Sequence, residues 1–140
     1  MPIYVLDTDT VTRQQGNHAA VLRRLQQLPA TQVFTTVVTL REQVRGRLAI
    51  VDRADEGPAL VRAYEQFQVT VDYFKQIHLL PFTAAAAEQL RQLRTQKVRV
   101  GTQDLRIAAI VLSVEGVLVT SNLRDFGRVP GLSVEDWTIV

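Results

Sequence analysis

The chain has 140 residues, 46% hydrophobic and 21% charged, a balance that suits one domain built around one core. It contains no cysteine, which excludes disulfides, thiolate metal sites and a cysteine nucleophile and suits a reducing cytoplasm. The net charge of +2 permits a nucleic-acid partner without demanding one, no apolar run approaches the roughly 20 residues of a membrane span, and the first residues lack the pattern of a signal peptide.

Residues 3–6 are a short aliphatic run between Pro2 and Asp7, too short for a buried helix, and are predicted as a core strand. Asn17 is expected to cap a helix carrying Val21, Leu22, Leu25 and Leu28 at helical spacing, with Pro29 at its end. A second strand is predicted over 32–36. It leads into a helix with Val37, Leu40, Val44, Leu48 and Val51 at three- and four-residue steps, mildly interrupted by Gly46. A turn at 55–58 places Pro58 in the first turn of a further helix bearing Leu60, Val61, Tyr64, Phe67, Val71 and Phe74. The run "QIHLLPF" predicts a third strand ended by Pro81, and Thr83 caps an alanine-rich helix reaching about residue 96. Gly101 and Thr102 precede the apolar helix "QDLRIAAIVLSVEG", expected to end at Gly116. "VLVT" is a fourth strand, "NLRDFGRVPG" a loop and "SVEDW" a short edge strand.

Strands alternating with helices imply parallel pairing. The expected fold is therefore a three-layer α/β/α sandwich on a mostly parallel sheet of four to five strands, one domain over 1–140. In such a sheet every strand's carboxyl end faces one edge, where open α/β folds bind ligands. Asp7, Glu42, Asp104 and Asp125 all fall near that edge in the sequence. Each has a plain alternative: Asp7 and Asp9 as turn or cap residues, Glu42 as a solvated helix residue, Asp125 as a loop acid. Asp104 resists one, because Ile107, Ala108 and Val111 at i+3, i+4 and i+7 put it on the apolar face, although Thr102 is the better-placed cap. Together, four carboxylates repel one another, and a divalent cation neutralises them. Oxygen ligands with no Cys, and no His nearby, suit Mg²⁺ or Mn²⁺ better than zinc, and imply metal-assisted phosphodiester hydrolysis. His18 and His78 suggest no catalytic triad.

The stretches "VLDTDTV", "TTVVTLREQVRGR", "VGTQDLRIAAIVL" and "LVTSNLRDFGRVPGLSVEDW" resemble the PIN-domain family, specifically the VapC-type ribonuclease toxins of bacterial toxin–antitoxin pairs, over essentially the whole chain. The resemblance implies a Mg²⁺-dependent (or Mn²⁺-dependent) endoribonuclease with acidic residues Asp7, Glu42, Asp104 and Asp125, supported by Asp9, Thr120 and Asn122. Asp7 and Asp104 are expected to bind the metal directly, with Glu42 and Asp125 holding water or a second ion. It also implies a homodimer, a cognate antitoxin that covers the site, and contact with DNA only through that antitoxin. Two positions depart from the family: Asp9 where Asn is frequent, and Ser121 where many members carry Arg. Arg41, Arg45, Arg106, Arg124 and Arg128 adjoin the motifs and are candidate contacts to the RNA backbone. The alternatives are a degenerate PIN-like module that binds RNA or protein without cutting it, and a haloacid-dehalogenase-like phosphatase. "DTDTV" and "VLVTS" fit the phosphatase, but no lysine follows them.

Overall fold

The computed structural model describes residues 1–139. Its centre is a five-stranded, all-parallel sheet in the order β3-β2-β1-β4-β5, made of β1 (Tyr4–Leu6), β2 (Val33–Thr36), β3 (His78–Leu80), β4 (Val117–Val119) and β5 (Ser133–Glu135). The three-layer expectation holds, and the sheet is parallel throughout. Tyr4 pairs with Val33 on one side of β1 and with Val117 on the other, so the strand that ends in Asp7 is central.

Seven helices complete the described chain: α1 (Thr8–Gln15), α2 (Ala19–Gln26), α3 (Val37–Arg53), α4 (Pro58–Gln76), α5 (Ala84–Thr95), α6 (Thr102–Ser113) and α7 (Leu123–Phe126). The strands alternate their side chains between two cores, as a pleated ribbon must. Val5 and Leu118 join Val38, Ala86, Leu93 and the α6 residues Leu105, Ile107, Ala108 and Val111 on one face. Tyr4, Leu6, Val33 and Val119 join Val11, Val21 and Trp137 on the other. Sandwiching the sheet on both faces is what allows its strands to be apolar throughout. α3 and α4 pack together beside it, and Gly57 opens α4 with a φ of 106°, a left-handed conformation that glycine adopts without steric cost.

Three local expectations are corrected, and one helix appears where no element was assigned. The segment after Asp7 is a helix, α1, which its Thr-rich sequence hides. The cap of α2 is His18, whose Nδ1 accepts the Val21 N–H at 3.4 Å; Asn17 takes a left-handed φ of 60° in the preceding turn instead. α6 begins at Thr102 with Gly101 as an N-cap that gives no side-chain bond, and it ends at Ser113. The left-handed residue after it is Glu115 (φ 53°), while Gly116 is needed for space, because a Cβ there would lie 3.1 Å from the Ile3 carbonyl oxygen. Finally, the expected loop after β4 contains the single turn α7, capped by Asn122.

Candidate active site

Parallel pairing brings the ends of β1, β2 and β4 to one edge. There, Asp7 caps α1: its Oδ1 accepts the Thr10 N–H at 2.8 Å, and its own N–H donates to the Val119 carbonyl at 3.0 Å. The capping and acidic-site readings therefore describe the same carboxylate. It is only 3% exposed. Burial raises its pKa, the Thr120 hydroxyl and the Thr10 groups that bond it oppose the rise without cancelling it, and the Asp9 carboxylate adds to it.

Glu42 lies in the second turn of α3, which is capped by Thr36 through its Oγ1 and the Thr39 N–H at 3.2 Å. Thr8, the first residue of α1, donates its hydroxyl to Glu42 Oε1 at 2.6 Å and sits 3.1 Å from the Thr39 hydroxyl. This short bond to a charged acceptor fixes α1 against α3 beside Asp7.

Asp125 is placed by α7. Asn122 Nδ2 donates to its Oδ2 at 3.0 Å, and Asn122 Oδ1 accepts its backbone N–H at 3.3 Å. Thr120, fully buried, accepts the Asn122 N–H at 2.9 Å, and its hydroxyl lowers the pKa of Asp7. The two polar residues expected to support the site are thus bonded to each other, and Asn122 holds Asp125.

Asp104, in the first turn of α6, lies within electrostatic reach of the other acids. It is half-buried and forms no ion pair or side-chain hydrogen bond among the described residues. Its pKa is raised to about 6, first by burial and then by the charges of Glu42, Asp7, Asp9 and Asp125. All the charges acting on it are carboxylates. Of the arginines expected nearby, Arg41, Arg45 and Arg124 are exposed and Arg106 is half-buried. Arg128 donates to the Arg99 carbonyl at 3.2 Å and lies 3.9 Å from Asp125.

Sequence reasoning missed Thr8 and Thr39, which act across 34 and 31 residues, and Arg13, which donates to the Ser121 hydroxyl at 2.9 Å. The only available signal was the threonine density of "DTDTVT", which also reads as a turn.

Chemically, the edge offers carboxylate and hydroxyl oxygens and an excess of negative charge. Beside Asp104, the Gln103 Oε1 is buried without a hydrogen-bond partner, adding a neutral oxygen donor to that turn. Among the described residues, no three His, Cys, Asp or Glu side chains converge into a ready-made metal cage. This donor set fits a hard divalent cation of the Mg²⁺ kind, which is held by one or two carboxylates and keeps several waters. It does not fit zinc, which calls for a closed set of nitrogen or sulfur ligands.

No protein-family model matches the chain. It is similar to the "tRNA(fMet)-specific endonuclease VapC" of Shigella flexneri, with 30% identity over 139 residues that cover 96% of this chain and 98% of the relative. Among solved structures, the DNA-bound VapBC of Salmonella typhimurium superposes with a TM-score of 0.78 at 27% identity, covering 98% of this chain and 99% of that one. VapBC-5 of Mycobacterium tuberculosis, from the VapBC family of toxin–antitoxin systems, gives 0.59 at 26% identity, covering 96% and 98%. An all-parallel sheet with its acids gathered at one edge and full-length similarity at this level lead to one conclusion: the chain belongs to the VapC ribonuclease family of PIN-domain proteins.

Proposed function

We propose that the chain is a divalent-cation-dependent endoribonuclease and the toxin of a toxin–antitoxin pair. The observation that carries the reading is Asp104: a half-buried carboxyl with no cationic partner, surrounded by the charges of four others. A purely structural role leaves that repulsion uncompensated, whereas a catalytic role gives it a purpose.

Asp7 and Asp104 would hold Mg²⁺ or Mn²⁺, consistent with their buried and half-buried oxygens at the sheet edge. When bound, the ion supplies positive charge to a phosphoryl oxygen and makes nearby water more acidic. The chain's own residues do the rest. Glu42, oriented by Thr8, and Asp125, oriented by Asn122, hold the attacking water, and one of them takes its proton. Water adds to phosphorus in line and the P–O3′ bond breaks, leaving a 5′-phosphate and a 3′-hydroxyl. Asp7 is held in place by the Thr10 N–H, which leaves its second carboxylate oxygen for the ion.

The partner of such a toxin is an antitoxin that covers this edge, with any DNA contact made through the antitoxin. A homodimer belongs to the same reading. Large exposed apolar side chains on α3 (Leu48, Ile50) and α4 (Val61, Tyr64, Val69) supply a surface for protein partners. No described helix is long and apolar enough to cross a membrane, in keeping with a cytoplasmic site of action.

The test is cleavage of a bulk tRNA preparation with Mg²⁺ or Mn²⁺, with and without chelator. The wild type should cut, chelator should stop it, and Asp7→Asn should lower the rate by more than about a hundredfold while preserving the α1 cap. Cleavage unaffected by chelator, or an Asp7→Asn variant as fast as the wild type, refutes the assignment.

A further inference from the structure

Arg13 lies in the last turn of α1, the helix that Asp7 opens, and is half-buried. Its Nη1 donates to the Ser121 hydroxyl at 2.9 Å, the one side-chain hydrogen bond it makes among the described residues. Ser121 stands between Thr120, whose hydroxyl lowers the Asp7 pKa, and Asn122, which holds Asp125. The guanidinium is thus fixed at the rim of the acidic edge, between two elements that build it.

Its electrostatic setting is unusual for an arginine on the helix that Asp7 and Asp9 open. Among the described residues no carboxylate lies within ion-pair distance of it, and Asp9, one helical turn earlier on the same helix, does not pair with it. Nor does its charge figure among those that set the Asp104 carboxyl. Arg13 is therefore not a neutralising partner of the cluster. A neutral hydroxyl orients it and leaves four of its five N–H donors free. A partly desolvated guanidinium without an anion is costly, and its planar fork matches a phosphodiester. Among the other arginines near the motifs, Arg41, Arg45 and Arg124 are exposed, Arg128 is engaged by the Arg99 carbonyl and Asp125, Arg106 is half-buried with no side chain among the described residues orienting it, and Arg47, although half-buried and held by a hydroxyl, is held by Thr70 on α4 and not by the loop that carries Asn122.

We propose that Arg13 binds a backbone phosphate of the RNA next to the scissile one, with Ser121 as the residue that positions it. The proposal rests on the ribonuclease reading and adds a substrate contact to it. It also gives the acidic edge a fixed positive flank, which RNA needs in order to approach carboxylates.

The experiment uses a fluorescein-labelled single-stranded RNA 12-mer and full-length protein carrying Asp7→Asn, so that binding is read without cleavage. Adding Arg13→Gln should raise Kd about tenfold and lower the slope of log K against log salt by about 0.7, the signature of one lost phosphate contact on a single strand. Ser121→Ala should weaken binding less and keep the slope. Arg91→Gln, whose arginine pairs with Glu88 on α5, should change neither. In the active protein, Arg13→Gln should raise KM and leave kcat within about twofold, as expected for lost uniform binding. An unchanged Kd and slope in Arg13→Gln, even with a lowered Tm, overturns the proposal by making the Ser121 bond a structural clamp only. If the wild type cuts RNA in that case, Arg13 alone is misassigned. A wild type inert toward RNA overturns the ribonuclease reading as well.

Discussion

The most informative single residue is Asp104. Burial, and then the charges of Glu42, Asp7, Asp9 and Asp125, push its carboxyl up to about 6 from the ordinary value of 3.8. Between those values the folded state binds more protons than the unfolded state. Stability of the metal-free protein should therefore fall as pH rises from about 4 to about 6, and the penalty should persist above 6. Asp104→Asn removes the charge at nearly constant shape. In chelator at pH 7.5 it should raise Tm by a few degrees and flatten the slope between pH 4 and 6, as a thermal melt series reads directly. A lower Tm at pH 7.5 would make Asp104 a stabilising structural residue. This behaviour was partly legible in the sequence, since Ile107, Ala108 and Val111 placed Asp104 on an apolar face. The hydroxyls of Thr8 and Thr39 beside Glu42 were not, because contacts across 34 and 31 residues follow from the fold and leave no local pattern.

At the scale of elements, the shortest α-helix carries the most chemistry. α7 has four residues, yet Asn122 caps it through Oδ1 and steers Asp125 through Nδ2. Asn122→Ala should cost about 1 kcal/mol of stability through the lost cap and lower RNA cleavage about 10- to 100-fold. Asn122→Ser keeps a cap acceptor but lacks the amide donor, so it should recover most of the stability and little of the activity. Equal recovery of both would mean that the helix alone matters. The strands, α3, α4 and α5 followed from apolar periodicity and caps, including Thr83, whose Oγ1 accepts the Ala86 N–H at 3.1 Å. α1 and α7 did not. "TDTVTRQQ" consists largely of residues with weak helix preference, and a four-residue turn has no period to detect. Both are held by caps that grow out of the sheet edge, Asp7 and Asn122, so tertiary placement prevails over local preference.

For the molecule as a whole, topology does the gathering. With β1 central and every strand parallel, the ends of β1 and β4 and the starts of α3 and α6 fall on one edge. Asp7, Glu42 and Asp125 lie there within electrostatic reach of Asp104, without any long-range signal in the sequence beyond strand–helix alternation. That alternation made the fold and its shared edge legible, whereas the hydroxyl network and Arg13 became visible only with side-chain geometry. In the proposed mechanism this edge captures a divalent cation through Asp7 and Asp104. Calorimetric titration of Mn²⁺ into the metal-free protein at pH 6, in two buffers of different ionisation enthalpy, tests it most directly. The claim predicts saturable binding with release of a fraction of a proton, as Asp104 gives up its own on taking the ion, and loss of both signals in Asp104→Asn. Absence of binding at millimolar Mn²⁺, or identical binding by Asp104→Asn, would contradict it.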